Sequence, residues 1–374
     1  MGFRKLAISA SCSLAAASLA AFIIYRQLGK SRCDARSKLK LEESLEENIY
    51  SRTSTRSPRE NGGPPHITAK VWDPPSWLVN FAKEDLTMEV ACGIVTALNS
   101  FDTPARQGPL LMLQQASTFS SNGPVFRDSG CLSLILGLLD SKDQASITTR
   151  QNLTILQTVT NLACDRANLP CIQEHLRTIL EIANTQNYSD QACAALQLLC
   201  NVALTPDGCR ILDNKIELLY GMLSTRDPYI LRQVYSILVN LSCDAASSLL
   251  LLQSLAPPDL FDALSYSLSN AVQPLVSLQA VMFLKNSYTA MRIQDAITDD
   301  MRISDLLPDR PSDAQTVADF LTKSRGELKL RLYVLLSETP TSEVGEELTE
   351  QASLLCEILD TQHSLPKNGR PETR

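Results

Sequence analysis

The strings NLACD at residues 161–165 and NLSCD at 240–244 each place an amide, a thiol and a carboxylate within about one helical turn. Three kinds of chemistry use that set: metal ligation, a thiol nucleophile with polar helpers, or packing and turn formation in a repeated unit. A metal site wants histidines or paired cysteines at ligand spacing. The chain has 11 cysteines with no C-x-x-C pair, and its only histidines are His66, His175 and His363, so no metal and no other cofactor is expected. A reactive thiol needs a cation or a helix N-terminus to lower its pKa. Cys164 and Cys243, with Cys171, Cys193 and Cys200 nearby, fall in apolar settings towards helix C-termini. They are expected to be reduced core filling. Asp165 and Asp244 then open turns, where a short polar side chain satisfies free backbone groups.

The elements that position these strings repeat. Asn161, Asn201, Asn240 and Asn286 follow one another at intervals of 40, 39 and 46 residues, and Gln115 occupies the same place 46 residues before Asn161. A period near 40 with helical patterning is the mark of an α-solenoid. In one unit Ile216, Leu218, Leu219, Met222 and Leu223 precede a turn, and Ile230, Val234, Ile237, Leu238 and Leu241 follow it, both at the 3.6-residue period. Asp227 followed by Pro228 is an N-cap before proline at the first helical position. Asp143, and Ser189 or Asp190, are expected to cap other long helices. Scarce glycine (14) and 5% aromatic residues agree with an all-α body.

Four features together resemble the armadillo family. They are a long helix ending in Asn-Leu, a trailing polar turn, a short helix such as CIQEHLRTILEIA, and the period near 40. The segment FRDSGCLSLILGLLDS, residues 126–141, is similar to that family's link between repeats, with a glycine before the second helix. The resemblance covers about residues 80–295 and implies an armadillo-type α-solenoid. In armadillo proteins the third helices line a concave groove whose Asn side chains engage an extended peptide. Carried onto this chain, the groove residues are Gln115, Asn161, Asn201, Asn240 and Asn286. Gln157, Gln197, Ser236 and Met282 stand one helical turn earlier on the same face. A second use of the same asparagines stays open, in which each bonds neighbouring backbone and specifies repeat stacking. The family's nuclear-import receptors place Trp one turn before the Asn, and this chain has none there, so classical nuclear-signal recognition is not expected. Arg150 and Arg232, at the starts of two long helices, are solvated or attract acidic partner segments.

Ahead of the repeats, residues 6–25 carry no charge and as a helix span the ~30 Å hydrocarbon core. A cleaved signal peptide ends in small residues, whereas here Phe22, Ile23, Ile24 and Tyr25 run into Arg26. An uncleaved transmembrane anchor is expected. Basic residues are denser after the span than before it, which places the body in the cytosol. Seven alanines and four serines give the span the modest hydrophobicity of mitochondrial outer-membrane anchors, with the endoplasmic reticulum membrane as the alternative. Residues 26–75, basic and then lacking apolar periodicity, read as a disordered tether whose flexible part reaches about 35 to 40 Å. Ser57-Pro58 is a candidate phosphorylation site within it.

Anchor, tether and armadillo body together are similar to the membrane-anchored, X-linked and related armadillo-repeat-containing proteins of mitochondria. That resemblance implies a non-enzymatic scaffold influencing mitochondrial distribution, transport and clustering through Miro- and TRAK-like motor-adaptor machinery. The domain plan is therefore a flank (1–5), anchor (6–25), tether (26–75), repeats (76–295), a helical cap or partner segment (296–360) and a disordered tail (361–374). A net charge of -7 gives no nucleic-acid footprint. No Gly-rich phosphate loop, G-x-S-x-G or H-E-x-x-H occurs, so no enzymatic activity is expected.

Overall fold

Polar residues at helix starts punctuate the chain. The Thr87 hydroxyl accepts from Val90 N at 3.3 Å and begins α1 (Met88–Ser100). Thr148 and Gln151 form a capping box at α5 (Thr149–Leu162), so Thr148 and not the expected Asp143 caps that long helix. Asp227 accepts from the backbone N–H groups of Tyr229 and Ile230 at the head of α11 (Pro228–Cys243), as its Asp-Pro pair predicts. Thr316 and Asp319 box the start of α15 (Val317–Glu338). The computed structural model describes residues 85–101, 103–140, 148–185, 190–269, 272–297, 315–339 and 342–361. All belong to one unit, residues 69–374. The anchor span, the tether with Ser57-Pro58, the expected caps Asp143 and Ser189, and the tail from 362 onward lie outside the described residues; Asp190 is the first residue of its helix.

Six long helices lie side by side in chain order: α2 (Gln107–Ala116), α5, α8 (Asp190–Val202), α11, α14 (Pro274–Ile297) and α16 (Glu343–Thr361). Each packs on the next. Shorter helices separate them: α3 (Gly123–Asp128) and α4 (Cys131–Leu139), α6 (Leu169–Glu174) and α7 (Leu176–Ala183), α9 (Pro206–Leu212) and α10 (Ile216–Gly221), α12 (Ala245–Gln253) and α13 (Leu260–Ser267). This is an all-helical armadillo-type solenoid. Gly130 is left-handed (φ 78°) and turns the chain from α3 into α4, where the linking glycine was expected.

Buried tyrosines cross the layers. Tyr220 and Tyr235 pack on Phe283 at centroid distances of 6.2 and 6.4 Å. Their hydroxyls donate to the Leu251 carbonyl at 3.1 Å and to Ser267 Oγ at 2.9 Å. Tyr288 likewise donates to the Leu321 carbonyl at 2.7 Å, which ties α15 to α14. An isolated antiparallel bridge between Leu255 and Thr316 joins the segment after α12 to the start of α15. The last two helices therefore share the repeat core. Among the described residues no single helix is long and apolar enough to cross a membrane.

Candidate functional site

The rungs of the ladder are inter-repeat hydrogen bonds. Asn161 Nδ2 donates to Ser117 Oγ at 3.0 Å, and Asn201 Nδ2 to the Thr160 carbonyl at 2.8 Å. Asn240 Nδ2 donates to the Cys200 carbonyl at 3.1 Å, and Asn286 Nδ2 to Ser242 Oγ at 3.0 Å. Each thus binds the end of the preceding long helix, where the last carbonyls of an α-helix lack intrahelical partners. A carbonyl oxygen only accepts, so at Asn201 and Asn240 the amide nitrogen must point inward. Three rungs also meet a thiol: Asn201 with Cys164 Sγ at 3.7 Å, Asn240 with Cys200 Sγ at 3.7 Å and Asn286 with Cys243 Sγ at 3.4 Å. The four Oδ1 atoms accept no hydrogen bond within the described residues. The stacking use of the ladder is therefore realised, and what each rung retains is an acceptor.

Access to that acceptor varies. Asn161 is exposed, Asn201 and Asn286 are half-buried, and Asn240 is only 7% exposed. The preceding-turn residues lie alongside. Gln157 is exposed and accepts from Gln114 Nε2; Gln115, in the first rung position, is half-buried. Gln197 is half-buried, Ser236 turns its hydroxyl back onto the Arg232 carbonyl at 2.8 Å, and Met282 packs partly against the core. Arg150 is exposed and Arg232 half-buried.

Two features were not foreseen. Cys164 and Cys243 are exposed, not core filling, because the residue three after each Asn falls on the open face as the helix ends. Cys200 is buried, and Cys171 and Cys193 are intermediate. Burial around the Cys243 sulfur pushes its thiol pKa up, with Lys285 and the Asn286 hydrogen bond opposing. Burial also pulls Lys285 below the ordinary lysine value against the pull of Glu347, Cys243 and Glu350. Secondly, Lys285 Nζ donates to Gln351 on α16, whose Nε2 donates to Glu347 at 2.9 Å. Gln351 meets the residue before Asn286, as Asn240 meets the residue before Asn201, although it accepts from a side chain where Asn240 donates to a backbone carbonyl; by position it is a sixth rung. Its 65-residue separation from Asn286 hides it from a search at period 40.

A second buried series stands seven residues after the rungs. Asn122 Nδ2 donates to the Ala116 carbonyl and Asn168 Nδ2 to the Leu162 carbonyl, both at 2.9 Å. Asn122 Oδ1 accepts from Leu86 N at 3.0 Å, and Asn168 Oδ1 from Arg127 at 3.2 Å. The matching position in the next unit is Gly208, where a Cβ would stand 1.8 Å from the Val202 carbonyl oxygen. The recurring Asn-x-Pro at Asn122 and Asn168 was the available signal.

Away from the groove, a cleft of about 350 Å³ lies between α6 and α9, where Arg166 and Arg210 both bind Asp207. His175 Nδ1 contacts Asp140 at 2.5 Å. No group of three metal-ligating side chains occurs among the described residues.

The armadillo-like family profile matches residues 93–305, more than half of the chain. No curated protein matches in sequence. Among solved structures, the chain is similar to an engineered protein with a TM-score of 0.52 at 16% identity, over 72% of this chain and 96% of that one. A designed armadillo repeat protein gives 0.50 at 15% identity, over 72% and 99%. UNC-45 from Drosophila melanogaster gives 0.52 at 15% identity, over 73% of this chain and 32% of its own length. At these identities the likeness is one of fold.

Proposed function

Because the chain belongs to the armadillo-like family, we propose that it is a non-enzymatic protein-binding scaffold that takes an extended partner segment along its Asn ladder. The observation that carries this reading is the Oδ1 of Asn161, Asn201 and Asn286, which accepts no hydrogen bond among the described residues, an acceptor in three of the four Asn rungs. An extended peptide presents backbone N–H groups at regular intervals, and neutral amides accept from them without the desolvation cost of a charge. Gln157, Gln197, Ser236 and Met282 supply uncharged walls. Asn240, nearly closed off, acts chiefly in stacking.

The scaffold is held by residues 6–25 on the cytosolic face of the mitochondrial outer membrane, where it influences mitochondrial distribution through motor-adaptor partners of the Miro and TRAK kind. The uncharged span with its basic C-terminal flank supports this placement. Residues 1–45 fused to a fluorescent reporter should label mitochondria; an endoplasmic reticulum pattern would reject the location and leave the groove reading intact. Partner capture by the full chain carrying Asn161→Ala and Asn201→Ala tests the groove. Loss of capture at an unchanged melting temperature supports it, and retained capture assigns the ladder to stacking alone.

A further inference from the structure

We propose that a second copy of this chain covers the outer face of α15, the two helices running antiparallel about a twofold axis near Leu330. α15 buries Leu321, Leu328, Leu332 and Leu335 against the repeat core, as an outer helix should. Beyond Leu330 its opposite face is also apolar, with Leu330 63% exposed, Tyr333 49% and Val334 47%, while exposed Lys323 occupies the same face two turns earlier. Leu330, Tyr333 and Val334, at spacings of three and four, form one continuous stripe. The equivalent outward positions of α7 hold Arg177 and Glu181, paired at 2.9 Å, so an apolar outer face is not a general property of these repeats. Solenoid ends need a polar outer surface or a partner, and exposed apolar stripes on a soluble body mark interaction sites.

The residues flanking the stripe select a copy of the same chain. A twofold interface must be self-complementary under reversal of the helix. Reversal about a point near residue 329 brings Glu327 of each copy beside Arg331 of the other, two opposite-charge pairs related by the axis. Both side chains are exposed and neither forms an ion pair within the described chain. The same register sets Tyr333 of each copy over Gly326 of the other, where nothing lies within 4 Å of a would-be Cβ and the ring can approach the backbone. Leu330 then meets its own counterpart beside the axis.

Full-length chains bearing two different tags, co-expressed and solubilised, should capture one another. Leu330→Arg should reduce capture by about tenfold or more, the loss expected on putting a charge into an apolar contact worth about 1.4 kcal/mol. Glu327→Lys should weaken it by opposing two cations. The doubly exchanged Glu327→Lys, Arg331→Glu chain should again capture its own kind but not the unaltered chain. A purely structural role for these residues would not produce that selectivity. Monomeric unaltered chain in sedimentation overturns the proposal, as does capture indifferent to Leu330→Arg or double exchange that fails to restore pairing.

Discussion

Asn240 donates to the Cys200 carbonyl at 3.1 Å from a site only 7% exposed, whereas Asn161, two repeats earlier, is exposed and reaches the Ser117 hydroxyl at 3.0 Å. The same sequence position thus carries two balances of structure and access.

Asn240→Ala should cost about 1 to 3 kcal/mol, because it removes a buried hydrogen bond between repeats. Asn161→Ala should stay within about 0.5 kcal/mol, the usual range for a surface change. Denaturant midpoints of the two variants check this, and equal losses would count against the difference in burial.

Gly208→Ala should be severely destabilising, by roughly 4 kcal/mol or more, since its Cβ would sit 1.8 Å from the Val202 carbonyl oxygen. Gly221, on α10 with φ of -60° and nothing near its would-be Cβ, is the internal comparison. Gly221→Ala should stabilise by about 0.5 to 1 kcal/mol through the loss of unfolded-state freedom. Thermal melts of the pair should move in opposite directions.

Alkaline pH should loosen the repeats. Burial pushes the Cys131 thiol up to about 11 and Cys209 to about 12, from an unfolded value of 9.0. A folded pKa above the unfolded one gives stability that is whole below pH 9 and lost as pH rises through 11 to 12. Two units at Cys131 correspond to about 3 kcal/mol. In Cys131→Ala the stability should fall less steeply between pH 9 and 11; an unchanged slope would show that other groups set the alkaline limb.

Maleimide should label Cys92, Cys164 and Cys243 in the folded protein, because they are exposed, while Cys131, Cys200, Cys209 and Cys356 react only after unfolding. Cys243 should lag behind its exposure at neutral pH because burial of its sulfur raises its pKa. Prior labelling of Cys164 and Cys243 should reduce partner capture if the open face is the binding face.

Periodicity and turn chemistry are local, so they were legible without coordinates. The recurrence of Asn161, Asn201, Asn240 and Asn286, the Asp227-Pro228 cap and the Gly130 turn each follow from residue type and spacing. Asp165 and Asp244 also do the turn work expected of them, accepting from Ala167 N and Ser247 N at 3.0 Å. Where Cys164 and Cys243 point depends on how the helix ends turn relative to the next layer, and apolar neighbours in sequence misled on that count. Gln351 escaped notice because 65 residues separate it from the preceding rung, and only the packing of α16 on α14 restores it to the row.

The chain's own residues determine that it folds as stacked helical repeats with an amide recurring on the long helices, since helical period, caps and side-chain donors are set within a few residues. Tertiary packing alone decides which atoms of those amides remain free. Docking one helix on the next consumes Nδ2, leaves Oδ1, closes over Asn240 and keeps Asn161 open, because exposure belongs to the gap between layers and no single layer encodes it.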